Sequence, residues 1–183
     1  MRAPDPLAGR HTPARAGLSP LAAIATVTLV LGGSALLGRR NAPDPSHPGI
    51  RRWYRKLDKP GFTPPDAVFG AVWPMLESGL AVGGYRLLRQ PASGSRDIAV
   101  GLWLLNTAMV GGWTELFFRK RALGSSAAAS AAMIATGSGY VLAASKVDRP
   151  AAATAVPFVA WVGFATILAE RIWARNGAGD RRA

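Results

Sequence analysis

The apolar residues of this chain fall into five blocks, at residues 18–38, 65–88, 97–118, 122–145 and 151–173, separated by basic or proline-rich connections. A helix rises about 1.5 Å per residue, so each block reaches about 30 Å, the thickness of a bilayer's hydrocarbon core. Lipid offers the backbone no hydrogen-bond partner, which restricts such blocks to helices. The pattern predicts an all-α integral membrane protein, a bundle of five transmembrane helices. Residues 1–17 read as a disordered basic tail, 41–64 as an aromatic loop and 177–183 as a C-terminal tail. The first block is long for the apolar part of a signal peptide and ends at Arg39 and Arg40, so it reads as a retained span.

Charge agrees with this class. The chain carries 22 Lys and Arg against 10 Asp and Glu, a net charge of +12. In a soluble protein that excess would point to nucleic acid. Here the cations lie between or beside apolar blocks, so they read as topology determinants and headgroup contacts, and nucleic acid is set aside. The first loop, third loop and C-terminal end hold the larger share, which places them in the cytoplasm by the positive-inside rule. High Ala and Arg usage points to a bacterial inner membrane. There are no cysteines, and His11 and His47 lie outside the blocks. Disulfides, thiolate metal sites and a Cys nucleophile are excluded, and no metal or catalytic site is expected.

Local chemistry marks the helix ends. Pro64 and Pro65 suit a helix start, where a missing N–H costs nothing, and Asp66 complements the positive end of the helix dipole. Asp97 does the same for the third block. Ala108 and Gly112 form a small-residue pair, and the fourth block is rich in Ala, Ser and Gly; both allow close approach of helices, within the chain or across a dimer.

Residues 53–73 read WYRKLDKPGFTPPDAVFGAVW. Trp53, Tyr54 and Phe62 stand among Arg51, Arg52, Arg55, Lys56 and Lys59. One reading is an interfacial belt, with rings at headgroup level and cations reaching for phosphates. The other is a proline-stiffened lid over a ligand cavity. Glu77 falls about 18 Å into the second span, close to the midplane. A carboxylate there is costly unless paired, hydrated or protonated. It is a functional candidate, or else a structural group bonded to Asn106 or Thr107. Trp73, Trp103, Trp113 and Trp161 lie within spans and are either packing residues or an aromatic cage. Asn106 is an interior amide, suited to a ligand or to another helix. Glu115 has Arg119 four residues on, a favourable helical pair.

These residues resemble the TspO/MBR family, the tryptophan-rich sensory proteins that include the translocator (peripheral benzodiazepine receptor) proteins. Trp53-Tyr54, Leu57, Lys59-Pro60, Phe62, Pro64-Pro65, Phe69 and Val72-Trp73 match its first loop and second helix. Trp113 and Phe117-Phe118 match the end of its third helix. Asp148, Ala151, Pro157, Trp161, Phe164-Ala165 and residues 173–176 match its fifth. The resemblance implies a five-helix bundle, commonly a homodimer, with a pocket open toward the first loop. It implies binding of porphyrin, haem or another flat hydrophobic ligand, and no required cofactor. The implied ligand-binding residues are Trp53, Lys59, Phe62, Trp73, Glu77, Asn106, Trp113 and Trp161. The chain departs from the family pattern at Glu77, Val110, Phe158 and Ala169, where hydroxyl or amide side chains are usual.

The function expected is a membrane binding and sensory protein for porphyrin or a similar flat ligand, linked to tetrapyrrole or stress regulation. The alternatives are light- or oxygen-dependent porphyrin breakdown and transport of a small hydrophobic ligand. For the enzymatic alternative the sequence offers no metal site, nucleophile–base pair or cofactor fingerprint.

Overall fold

The computed structural model describes residues 15–177. The expected tail at residues 1–14 and the last residues, 178–183, lie outside the described part. Six helices follow in order: α1 (Pro20–Asn41), α2 (Pro48–Lys56), α3 (Asp66–Arg89), α4 (Gly94–Thr114), α5 (Leu123–Ser145) and α6 (Arg149–Asn176), with a π-helical turn, Glu115–Arg119, continuing α4.

Side-chain caps start three of the long helices. Ser19 accepts from the Ala22 N–H of α1 at 3.2 Å, and Ser93 from the Arg96 N–H of α4 at 3.3 Å. Asp148 accepts from the Ala151 N–H of α6 at 2.8 Å. Each cap satisfies a donor that the first turn leaves unpaired.

Two local features depart from the sequence reading. Residues 41–64 contain the helix α2, whose nine residues are too few to hold together alone. Packing stabilises it: Tyr54 is buried, and its ring meets the edges of Phe117 and Phe118. The expected pair of Glu115 with Arg119 is replaced by Glu115 with Lys120, 3.8 Å apart. The π turn explains the change. Its i→i+5 bonding, with the Lys120 N–H donating to the Glu115 carbonyl at 2.9 Å, sets the residue five positions on over the first.

By length and composition α1, α3, α5 and α6 can each cross a bilayer. Their outward faces are apolar, with Leu21 on α1 80% exposed and Leu142 on α5 66% exposed. That is the surface of an integral membrane protein. In α4, Trp103, Asn106 and Thr107 dilute the apolar residues, and all three are buried. It is packed between α1 and α5, while α6 lies against α5 and α3.

The core is tightest around the C-terminal half of α3. Trp103 is wholly buried against Gly84, and its indole N–H donates to the Leu80 carbonyl at 2.9 Å. A side chain on Gly84 would strike the Trp103 ring, so the close approach requires glycine there. At this end Asp148 accepts from Arg86 at 2.9 and 3.0 Å and from Gln90 at 3.1 Å. Burial pushes the Asp148 carboxyl up. The hydrogen bonds from Arg86, Ala151 and Gln90 outweigh that and hold it below the ordinary carboxylate range.

The other end carries the first loop and the end of α6. The Asp58 N–H donates to Asn176 Oδ1 at 3.0 Å, and Asn176 Nδ2 donates to the Asp58 carbonyl at 2.9 Å. The α1–α3 connection and the C-terminal end of α6 therefore share one end of the bundle.

Candidate functional site

A cavity of about 610 Å³ lies within the bundle toward the first-loop end, walled by α1, α3, α4, the π turn, α5 and α6. Its volume falls in the range of small-molecule sites, about 300–1,000 Å³. Helix α3 supplies a stripe of Asp66, Phe69, Gly70, Trp73, Pro74 and Glu77. That is one helical face, repeating every three or four residues. Across from it stand Val110, Gly111, Trp113 and Thr114 of α4, and Val162, Ala165, Leu168, Ala169 and Ile172 of α6. Ser130 and Met133 of α5, and Ser34 and Arg39 of α1, complete the wall.

The cavity exists because small or absent side chains face it. A Cβ built on Gly70 or Gly38 would meet nothing within 4 Å. Ala165 and Ala169 give α6 a shallow face at the same level. Pro74, in the interior of α3, has no N–H, so the Gly70 carbonyl lacks its usual helical donor.

Two groups of rings border the first-loop end. In one, Trp113 stacks on Phe117 at 4.8 Å, Phe117 meets Phe118 at 5.0 Å, and Trp53 and Tyr54 of α2 close over them edge-on. Cations cap this group: Lys59 Nζ sits 4.0 Å above the Tyr54 ring, and Arg121 lies 5.4 Å from the Trp53 ring. In the other, Phe62 meets Phe164, Phe164 meets Trp161 at 5.2 Å, and Trp161 meets Phe69 at 5.8 Å. Such edge and offset contacts are the favoured ring geometries.

Of the residues expected to bind ligand, Trp73, Glu77 and Trp113 reach the wall of this cavity. The other five stand elsewhere. Trp53 lies behind Phe117, and Lys59 is held over Tyr54. Phe62 is half exposed against Phe164. Trp161 is behind Phe69, its buried indole N–H without an acceptor among the described residues. Asn106 is wholly buried: its amide donates to the Leu102 carbonyl at 2.8 Å and its oxygen accepts from Thr136 at 3.0 Å. Thr107 donates to the Trp103 carbonyl at 2.9 Å. Asn106 and Thr107 are thus engaged with partners other than Glu77. Trp103 belongs to the packed core, so the four span tryptophans do not form one cage. Among the departures from the family pattern, Val110 and Ala169 line the cavity, while Phe158 is fully buried away from its wall.

Residues outside the expected ligand-binding set also line the wall, among them Tyr54, Phe69, Phe117 and Leu168. The signal for Phe69 was the helical stripe through Trp73 and Glu77. No comparable signal marked Leu168. Burial first, and then the nearby Asp66, pushes the Tyr54 hydroxyl up to about 12, so it is a donor at neutral pH. The hydrogen bond from Ser46, with help from His47, outweighs a small burial effect and holds Asp44 below its ordinary range.

Comparison with known proteins agrees with this architecture. The model of the TspO/MBR family matches residues 24–174. A translocator protein of Ovis aries is 32% identical over 130 residues, covering 68% of this chain and 75% of its own. The translocator protein of Homo sapiens is 30% identical over 135 residues, covering 72% and 80%. The matched segment contains α3, α4, the π turn and α5 whole, and with them most of the cavity wall. The chain belongs to the TspO/MBR family.

Proposed function

We propose that this protein binds a flat, largely apolar ligand, a porphyrin or a molecule of similar shape, in the bundle cavity, and that it serves as a membrane sensor of that ligand. The observation that carries the reading is the cavity itself: about 610 Å³, walled by Phe69, Trp73, Trp113 and the aliphatic face of α6. Flat apolar surface is what such rings contact best. The lid α2 covers the first-loop end through Tyr54, so entry requires its movement or a lateral path between helices.

The rest of the reading follows from the same architecture. Helix α4 is the fifth span, with Ile98 and Leu105 facing lipid. The end that carries α2, Arg119, Lys120, Arg121 and Arg175 is cytoplasmic by charge. Ala108 is exposed, and a Cβ on Gly112 would meet nothing within 4 Å, so α4 offers a small-residue face to a second copy.

The test is quenching of tryptophan fluorescence in neutral detergent by protoporphyrin IX and by its uncharged dimethyl ester. Saturable quenching is expected from the native chain, more strongly by the uncharged ester than by the diacid, whose carboxylates would face Glu77 on the wall. Ala169→Phe fills the cavity from a buried wall position and should abolish it. Ile167→Phe adds the same ring on the lipid face, where Ile167 is exposed, and should leave it intact. Quenching that survives in a folded, monodisperse Ala169→Phe protein would overturn the assignment.

A further inference from the structure

Most of the cavity's polar groups offer acceptors. Three wall hydroxyls direct their protons into backbone carbonyls: Ser34 to Thr107 at 2.8 Å, Ser130 to Ser126 at 3.0 Å, and Thr114 to Gly111 at 2.7 Å. The Trp113 indole N–H donates to the Ser126 carbonyl at 2.8 Å. The hydroxyls of Ser34 and Ser130 keep lone pairs, not protons, for a guest, Thr114 keeps one beside the bond it accepts from Asn41, and Trp113 offers neither. The Gly70 carbonyl, released by Pro74, adds another acceptor on the same wall.

The charges lean the same way. The lining includes the carboxylates of Asp44, Asp66 and Glu77 against the single guanidinium of Arg39. Asp44 has His47 beside it at 3.1 Å, and Arg39 stands in the last turn of α1 at the first-loop end. Glu77 is three turns along α3 from Asp66, about 16 Å deeper. The same wall includes the apolar side chains of Trp73, one turn away on α3, and of Val110, Met133 and Ala169. Among the described residues it takes part in no ion pair. The donors left on the wall among these residues are Arg39, the Tyr54 hydroxyl and the Trp73 indole.

We propose that the guest of this cavity is a flat apolar molecule carrying a protonated amine, or a comparable N–H cation, and that Glu77 is the group that receives it. This rests on the cavity being the ligand site and adds the charge of what it takes. An ammonium supplies what the wall lacks: N–H donors for carbonyl and hydroxyl lone pairs, and a counter-charge for a carboxylate in apolar surroundings. An anionic guest would find few donors, those of Arg39, Tyr54 and Trp73, and would meet the repulsion of Glu77. A neutral ring of the same shape would gain the apolar contact alone.

Three flat three-ring probes separate these cases in neutral detergent micelles: an aminoacridinium cation, neutral anthracene and anthracene carboxylate. The native chain is expected to bind the cation about tenfold or more tighter than the neutral ring, a difference of about 1.4 kcal/mol, and the anion most weakly. Glu77→Gln, which keeps size and removes charge, should bring cation and neutral ring within a few-fold of each other. Asp66→Asn, at the exposed start of α3, should narrow the gap only slightly. Ala169→Phe should remove binding of every probe. Equal affinities in the native chain, a preference for the anion, or a cation preference unchanged in Glu77→Gln would each overturn the charge assignment while leaving the cavity as the site. Absence of saturable binding by any probe would overturn both.

Discussion

The two halves of α3 are packed in opposite ways. In its C-terminal half, glycines are filled by their neighbours. A Cβ on Gly79 would come within 2.7 Å of the Thr154 carbonyl oxygen, and one on Gly83 within 2.5 Å of the Tyr140 hydroxyl oxygen. Beyond them the Asp148 network ties α3 to α6. In the N-terminal half, Gly70 faces open space, and the bundle is closed by rings and cations that sit above a void. One half is a core locked by close backbone approach and directed hydrogen bonds. The other keeps its helices apart and is bridged by aromatic side chains. The same helix thus anchors the fold at one end and borders a cavity at the other.

Glycine substitutions test the contrast most severely. Gly84→Ala places a methyl group into the Trp103 ring, which is fully buried and held by its bond to the Leu80 carbonyl. Overpacking of this kind costs about 1–3 kcal/mol and occasionally more. Gly70→Ala places the same methyl where nothing is in contact, and in a helix interior alanine is better than glycine by about 0.5–1 kcal/mol. Thermal unfolding in detergent should therefore move down for Gly84→Ala and stay level or rise for Gly70→Ala. Equal losses at both positions would show that the two halves of α3 are packed alike.

The Asp148 network gives the next largest effect. Asp148→Asn removes a buried charge from Arg86 at a cost of about 1–3 kcal/mol, while its amide oxygen can still cap α6. Its pH dependence has a definite sign. Because folding lowers this pKa, the native state holds the proton less tightly than the unfolded chain does. The contribution is complete above the ordinary carboxylate range, near 3.9, and is lost as pH falls through that range and below the lowered native value. Unfolding measured from neutral to acidic pH should show the native chain losing its advantage over Asp148→Asn on descent. Parallel curves would remove Asp148 from the account.

Helices α1, α3, α5 and α6 were legible as apolar blocks of spanning length because bilayer thickness imposes a length and lipid imposes a helix, whatever the helices pack against. The cavity was less so, because a wall depends on which faces meet. Trp73 and Glu77, which reach the cavity wall, stood out as a large ring and a carboxylate within an apolar block. Asn106 stood out equally and has a packing role here: its partner Thr136 comes from α5, and nothing along the chain joins residues 30 apart. Lys59 and Trp53 were recognised as aromatic-loop residues, but their place behind Tyr54 and Phe117 depends on α2, whose stability is tertiary. The π turn was hidden because its residues, ELFFR, continue the apolar pattern of α4 without a break.

The smallest expected effect concerns the tether between the first loop and α6. Two kinds of contact hold it. Arg175 and Asp58 form an ion pair at 3.1 Å with both side chains largely exposed, and Asn176 makes two hydrogen bonds with the Asp58 backbone. Exposed pairs contribute about 0–1 kcal/mol, because solvent screens them and side-chain entropy opposes them. Neutral backbone bonds contribute about 0.5–1.5 kcal/mol each, and they also fix the position of the chain. Asp58→Ala should therefore leave the loop in place, since both Asn176 bonds run to main-chain atoms that survive the substitution. Asn176→Ala should release it with a stability change of about 1 kcal/mol or less, because water replaces the lost partners at an exposed site. Hydrogen exchange resolves the two: the Asp58 amide should exchange faster in Asn176→Ala and at the native rate in Asp58→Ala. The reverse result would make the tether electrostatic. It would also give the first-loop end the ion-pair logic of the Asp148 end, and the two ends would no longer differ in how they are closed.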